Sequence, residues 1–219
     1  MKNLAVTNLI PSDFVIVIGR QCGSGGRELG KALAARLGVP YYDRRLLTDA
    51  SKELGMRADL LERNDERRPS GLLSWLSSSC GAPEAAYSGP TFSARDLQIL
   101  QGKVLRGLLE RGACVIVGRG ADYIGRDLPN ILSVFLHAPM DRRVENMRKG
   151  EAAGMSDAEI VELINRTDRR RGDYYNDFTG RRWGAADNYH LCIDSSLTDK
   201  EAIVDMIVTL LQRRCAGRE

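Results

Sequence analysis

Short apolar runs alternate along this chain with longer stretches in which apolar residues recur every three or four positions. FVIVI (14–18), ACVIVG (113–118), ILSVFLHA (131–138) and HLCID (190–194) are the apolar runs, and VPYYD (39–43) is a shorter one. Runs of this length without polar alternation suit strands covered on both faces of a parallel sheet. Between them, RELGKALAARLG places Leu29, Leu33 and Leu37 on one helical face, and Gly38 is positioned to end that helix. RRLLTDASKELG and 96–111 predict two further helices, the latter ending at Gly112. PMDRRVENMRKG begins another, with Pro139 near its first turn. Ser156 followed by Glu159 has the spacing of a capping box, which opens a helix through SDAEIVELINRTDRRRGDYYNDF. DKEAIVDMIVTLLQRR reads as a closing amphipathic helix.

Strands alternating with helices predict an α/β fold with a mostly parallel, doubly covered sheet, whose ligands bind at the carboxyl ends of the strands. Residues 62–95 break the pattern: ERNDERRPS is charged, LLSWL is short enough for one helical turn or two, and SSSCGAPEAAYSGPTFS is rich in turn formers. They read as an insertion or mobile cover, or else a surface loop, within one domain over 13–219. Residues 1–12 read as a leader.

The 219 residues, 43% of them apolar, suffice for one such domain with a full core. A net charge of +3, from 32 basic and 29 acidic residues, is too balanced to argue for nucleic acid or membrane. No apolar run approaches the ~20 residues of a membrane span, and the N-terminal stretch lacks the apolar core of a signal peptide. Five scattered cysteines without a CxxC, and two histidines, argue against a disulfide framework or a zinc site and fit a reducing cytoplasm. Cys114 and Cys192, inside apolar runs, are expected to pack as small hydrophobes.

The chemistry centres on IGRQCGSGGRELG (18–30), between an apolar strand and a helix. A phosphate-binding loop occupies that place because glycines let backbone N–H groups converge on phosphate oxygens, with the helix dipole behind them. The usual G-x-x-x-x-G-K-[ST] pattern fails here at three positions. With Gly25 on the second glycine, Arg20 falls on the first, Gly26 on the lysine and Arg27 on the Ser/Thr. The glycine cradle survives. Arg20 or Arg27 is available to replace the missing charge, since guanidinium groups pair with phosphate oxygens. The candidate nucleotide-binding residues are therefore Arg20, Gly23, Ser24, Gly25, Gly26, Arg27 and Glu28. Arg27→Ala is expected to weaken ATP binding, and Lys31→Ala, one turn further on, is not.

Taken in order, GRQCGSGGRELGKALAARLGVPYYDRRLL, CVIVGRGADYI, VFLHAP, D-R-x-R before YY, TGRRWG and NYHLCIDS resemble the cytidylate kinase-like family, a divergent branch near the bacterial cytidylate kinases. The resemblance runs from about Phe14 to near the C-terminus and is weakest over 57–92. It implies a P-loop NTPase-like, three-layer fold with a five-stranded parallel sheet and a helical lid. It also implies ATP and Mg²⁺ as cofactors and transfer of the γ-phosphoryl group to a nucleoside monophosphate such as CMP or dCMP.

The same resemblance suggests residue roles. Arg119, in VIVGRG, matches the arginine that contacts the monophosphate. Gly120 replaces the aspartate that follows it, with Asp122 the nearest substitute. Asp168, Arg169 and Arg171 match the D-[KR]-x-R of the lid helix. Asp43 matches an aspartate near the acceptor and is a weak metal candidate. This gives Arg27, Arg119, Arg169 and Arg171 as catalytic candidates, and Asp43, Arg119, Asp122 and Asp168 as substrate contacts. Blander readings stand beside them: a salt-bridged surface arginine for Arg119, a solvated helix with i,i+4 ion pairs for Arg166–Arg171, and a helix N-cap for Asp43. Tyr174, Tyr175, Thr179, Gly180, Trp183 and Gly184 form either a base-stacking surface or a structural corner. His190 reads as structural. The functional alternatives are a nucleotide-binding protein without turnover, a kinase for another small acceptor and, against the modest net charge, an RNA-binding module.

Overall fold

Four hydrophobic residues, Val15 to Ile18, lose essentially all solvent contact in β1 (Val15–Arg20), and the sheet is built outward from them. The computed structural model describes residues 13–43, 102 and 105–216. Within these, β2 (Tyr41–Tyr42), β3 (Cys114–Val117), β4 (Ile131–His137) and β5 (Leu191–Asp194) complete a five-stranded sheet in the order β2-β3-β1-β4-β5. Every pairing is parallel, with Val15 opposite Cys114 on one side and Ile131 on the other.

The period of two along β1 divides the core. Ile16 and Ile18 join a layer with Leu29, Leu33 and Leu37 of α1 (Gly26–Leu37) and with Ile203, Ile207 and Leu211 of α6 (Lys200–Ala216). Val15 and Val17 face the other way, onto Leu105, Leu108 and Leu109 of α2 (105–111). Helices therefore cover both faces, as the alternation of strands and helices predicts. α1 starts at Gly25 and stops at Gly38, both in the left-handed region at φ 81° and 68°. It lies so close to the sheet that a Cβ on Gly30 would stand 2.7 Å from Val117 Cγ2 and 2.9 Å from Tyr41 Cε2.

Three helices lie toward the carboxyl ends of the strands: α3 (Ala121–Ile124), α4 (Met140–Lys149) and α5 (Asp157–Thr179). Ser156 and Glu159 form the reciprocal capping box at the start of α5. Pro139 is the N-cap of α4, beside its first turn as the sequence predicts. A small third core joins α4, α5 and the glycine loop through Cys22, Val144, Met147, Ala152, Ile160 and Ile164. Cys114 is buried as expected, but Cys192 is exposed. β5 is an edge strand with one covered face, so Ile193 is buried and its neighbour Cys192 is not. The leader, the RRLLTDASKELG helix, the 62–95 insertion and the start of the 96–111 helix lie outside the described residues.

Candidate active site at the strand ends

The chain leaves β1 into a loop whose carbonyls and side chains are tied back to the scaffold. Gln21 N–H donates to Leu136 O at 3.0 Å, and Gln21 Oε1 accepts from Ala138 N–H at 3.2 Å. The Ser24 hydroxyl, buried, lies 2.9 Å from Gln21 O and 3.2 Å from Leu136 O. Asn146 Nδ2 donates to Gly23 O at 2.9 Å, and Ser195 Oγ to Ser24 O at 2.9 Å. The N–H groups of Gly23, Gly25, Gly26, Arg27 and Glu28 donate to no other described residue. Gly23 and Gly25, at φ 79° and 81°, turn the backbone so that these donors gather at the N-terminus of α1. That is the concave arrangement of amides and helix dipole that binds phosphate.

α5 is bolted to this loop. Asp168 Oδ1 accepts the Cys22 N–H at 2.7 Å, and its other oxygen pairs with the guanidinium of buried Arg143. Arg143 Nε in turn donates to Cys22 O at 2.8 Å. Arg171, one turn along α5, donates from Nη1 to Arg20 O at 3.2 Å. Burial pushes the Asp168 carboxyl above its ordinary range, against the opposing pull of the Cys22 N–H, Arg143 and Arg171.

Two cavities open on either side of Arg20. The first, about 510 Å³, is floored by the loop from Arg20 to Glu28 and walled by Asn146, Glu151, Ser195 and Lys200. The second, about 590 Å³, lies between β1, β3 and α5 and is lined by Asp43, Arg119, Asp122, Arg170, Tyr174 and Trp183, among others. Arg20, Arg27 and Arg171 line both. Arg20 is pressed between the loop and the turn after β3, and its pKa is pushed down to about 9, first by burial and then by facing Arg171, Arg27 and Arg119. Arg27 is half exposed and is neutralised on its outer side, by Glu151 and by Asp43 at 3.8 Å.

Gly118, Arg119 and Gly120 follow β3 with three successive positive φ values, 87°, 63° and 64°. A non-glycine residue in that region carries strain, and here the turn sets Arg119 in the second cavity with its guanidinium 5.7 Å from the centre of the Tyr174 ring. Asp122 accepts a hydrogen bond from Tyr175 Oη at 2.7 Å, and Tyr189 adjoins the pair. Burial raises the Asp122 carboxyl above its usual value. Trp183 stands edge-on to Phe135 at 5.4 Å while lining the same cavity, so the aromatic stretch is at once a corner and a wall.

The structure thus gathers most of the sequence candidates and reassigns several. Arg169 is exposed and lines neither cavity, whereas its neighbour Arg170 lines the second. Asp168 has both oxygens engaged in the brace between α5 and the loop, with Cys22 N–H and Arg143. Glu28 is exposed at the rim of the first cavity. Asp43, beside Tyr41 Oη at 3.4 Å, lines the second. His190 Nδ1 meets Ser133 Oγ at 2.7 Å and the Ser133 N–H at 2.9 Å, a structural role. Arg143, Asn146 and Ser195 are the contributors that sequence reasoning missed. They lie on α4 and after β5, far from the loop in sequence, and nothing in their local pattern points to it.

The loop fits a polyphosphate better than it fits a resident metal. Arg27 stands where a Ser/Thr hydroxyl would hold Mg²⁺, and Ser24 Oγ is turned toward two carbonyls. Asp43 and Glu151 are held by Arg27. Among the described residues no group of three or more His, Cys, Asp or Glu side chains is placed to hold a metal ion. No described helix is long and apolar enough to cross a membrane.

A glycine loop between the first strand and helix of a parallel 2-3-1-4-5 sheet, with arginine-bearing helices over the strand ends, defines a P-loop kinase fold. The family model of the cytidylate kinase-like family matches residues 15–197, and the chain belongs to that family. Among solved structures it is similar to an uncharacterised protein from Eubacterium ventriosum, at 24% identity and a TM-score of 0.67, over 91% of this chain and 98% of that one. A shikimate kinase from Bacteroides thetaiotaomicron aligns at 18% identity and a TM-score of 0.51, over 91% and 98% of the two chains. A gluconokinase from Sinorhizobium meliloti aligns at 16% and 0.51, over 94% and 95%. These likenesses show the shared fold. No curated protein matches the chain.

Proposed function

We propose that the protein is an ATP-dependent kinase whose acceptor is a nucleoside monophosphate, CMP or dCMP or a close relative. The observation that carries this reading is that Arg20, Arg27 and Arg171 line both cavities, so positive charge is concentrated where a donor and an acceptor would meet. Phosphoryl transfer asks mainly for alignment and charge stabilisation, which a cluster of guanidinium groups supplies. The loop amides and the start of α1 would hold the triphosphate of ATP, with Mg²⁺ arriving on the nucleotide and offsetting phosphate charge.

The second cavity suits an anionic, aromatic acceptor. Arg119 and Arg170 offer fork-like donors to a monophosphate. Tyr174, Trp183 and Tyr189 offer apolar faces to a base, and Asp122 a half-buried hydrogen-bonding edge. A monophosphate oxygen is already an anion, so no general base is required. That oxygen attacks the γ-phosphorus, the bond to the β,γ-bridging oxygen breaks, and ADP leaves. Free, scattered cysteines suit a cytoplasmic setting for this activity.

A second reading has a specific observation behind it. Arg27 is tied to two carboxylates, and the loop lacks the metal-holding hydroxyl, which favours nucleotide binding without turnover. ADP formation from Mg²⁺-ATP with CMP, dCMP, UMP, AMP and GMP in parallel separates the two. Acceptor-dependent ADP, strongest with a cytidine nucleotide, is the expected result. ATP binding with no acceptor-dependent ADP from any of the five would replace the kinase reading with the second one.

A further inference from the structure

The loop lacks a lysine at Gly26 and carries an arginine at Arg20, where a phosphate-binding loop ordinarily has its first glycine. We infer that these are one compensated change: Arg20, entering from the end of β1, supplies the phosphate-facing cation of the site, and Gly26 is a glycine because the near end of that side chain occupies the space above it. The inference rests on the nucleotide-binding reading of the loop and assigns the charge within it.

Three observations converge on Arg20. The first is space. A Cβ on Gly26 would stand 2.7 Å from both Cβ and Cγ of Arg20, the near end of the side chain, which has little room to move. A Cβ on Gly118 would collide with Arg20 Nη1, so the guanidinium lies across the turn after β3. Its path therefore runs over the position from which a lysine would otherwise extend. The second is pairing. Arg27 is engaged by Glu151 and Asp43, and Arg171 stands 3.7 Å from Asp168, whereas Arg20 has no ion pair with any described carboxylate. The third is placement. Arg20 lines both cavities and faces three further arginines, Arg27, Arg119 and Arg171. A cation held in such company is uphill until an anion arrives, and its depressed pKa expresses the same cost. Arg27 lines both cavities too, but its charge is already offset there by Glu151 and Asp43, and it latches the loop to the segment after α4.

Calorimetric titration of the full chain with inorganic tripolyphosphate and with ATP tests this without requiring turnover. Arg20→Gln is expected to lower tripolyphosphate affinity by about tenfold or more, the size of one lost charge-assisted contact. Arg20→Lys should recover part of it. Arg27→Gln should cost no more than about threefold, as for a half-exposed, already paired arginine. Gly26→Ala removes no charge but displaces Arg20, so its affinity should also fall about fivefold or more. That variant keeps the test open if Arg20→Gln does not fold, as thermal melting would reveal. A larger loss in Arg27→Gln than in Arg20→Gln, or wild-type affinity in Gly26→Ala, would overturn the inference. Absence of binding by the wild-type protein would remove the nucleotide reading and this inference with it. Binding without acceptor-dependent turnover would remove the kinase reading alone and leave the assignment of Arg20 standing.

Discussion

Replacing Asp168 by alanine should cost this protein about 3–5 kcal/mol of stability, a large share of what a domain of this size has. The side chain of Asp168 is 15% exposed and that of its partner Arg143 is 7% exposed, so the pair is nearly out of water. Truncation strands the Arg143 guanidinium and removes the acceptor of the Cys22 N–H at the same time. The pair itself is not a large net source of stability, because burial already pushes the Asp168 carboxyl up despite its three favourable partners. The loss comes from leaving one charge behind. It follows that Arg143→Met/Asp168→Leu, which removes both charges, should be far less damaging than Asp168→Ala alone. Urea unfolding of the wild type and these two variants near neutral pH, with unchanged m values, measures this, and the melting temperature of Asp168→Ala should fall by roughly 6–20 °C. A loss of about 1 kcal/mol or less, as at a surface ion pair, would refute the view that this contact bolts α5 to the loop.

Three further outcomes follow from the geometry. Ser156→Ala should destabilise by about 1 kcal/mol in chemical denaturation, through loss of the reciprocal cap on α5. Gly30→Ala should cost about 1–3 kcal/mol despite alanine's better helix propensity, because its Cβ has no room against Val117 and Tyr41. Asp122 is an acid whose carboxyl is raised in the folded state, so the folded protein holds that proton more tightly than the unfolded one. Its contribution to stability therefore declines as pH rises through the range just above the ordinary carboxylate value. Asp122→Asn, which keeps an acceptor for Tyr175, should flatten that decline in a pH series of melting curves, and an unchanged pH profile would contradict the assignment.

How much of this was legible in the sequence depended on the range of the interactions. All five strands were: the inner three, β1, β3 and β4, because a strand buried on both faces must be apolar at every position, and the edge strands β2 and β5 as shorter apolar runs between turn and helix signals. The caps at Gly38 and Ser156 were equally local. The edge position of β5 was not, since HLCID reads as apolar whichever strand it neighbours, and a buried Cys192 is the natural expectation from it. Within the site, the glycine cradle and Arg119 could be read from strand-end position and resemblance. The division of labour among the arginines could not. Arg169, Arg170 and Arg171 are neighbours in sequence, and only the rotation of α5 decides which of them meet the cavities. Arg143, 121 residues from Cys22, reaches the loop through folding alone.

On the kinase reading proposed above, a phosphoryl group crosses from one cavity to the other past Arg20, Arg27 and Arg171. Incubation of the wild-type protein with γ-labelled Mg²⁺-ATP and CMP, followed by identification of the labelled product, tests it most directly. Label is expected on the β-phosphate of CDP, at a rate that rises with enzyme and saturates in CMP. Label released only as inorganic phosphate, or retained in ATP while the nucleotide is demonstrably bound, would contradict it.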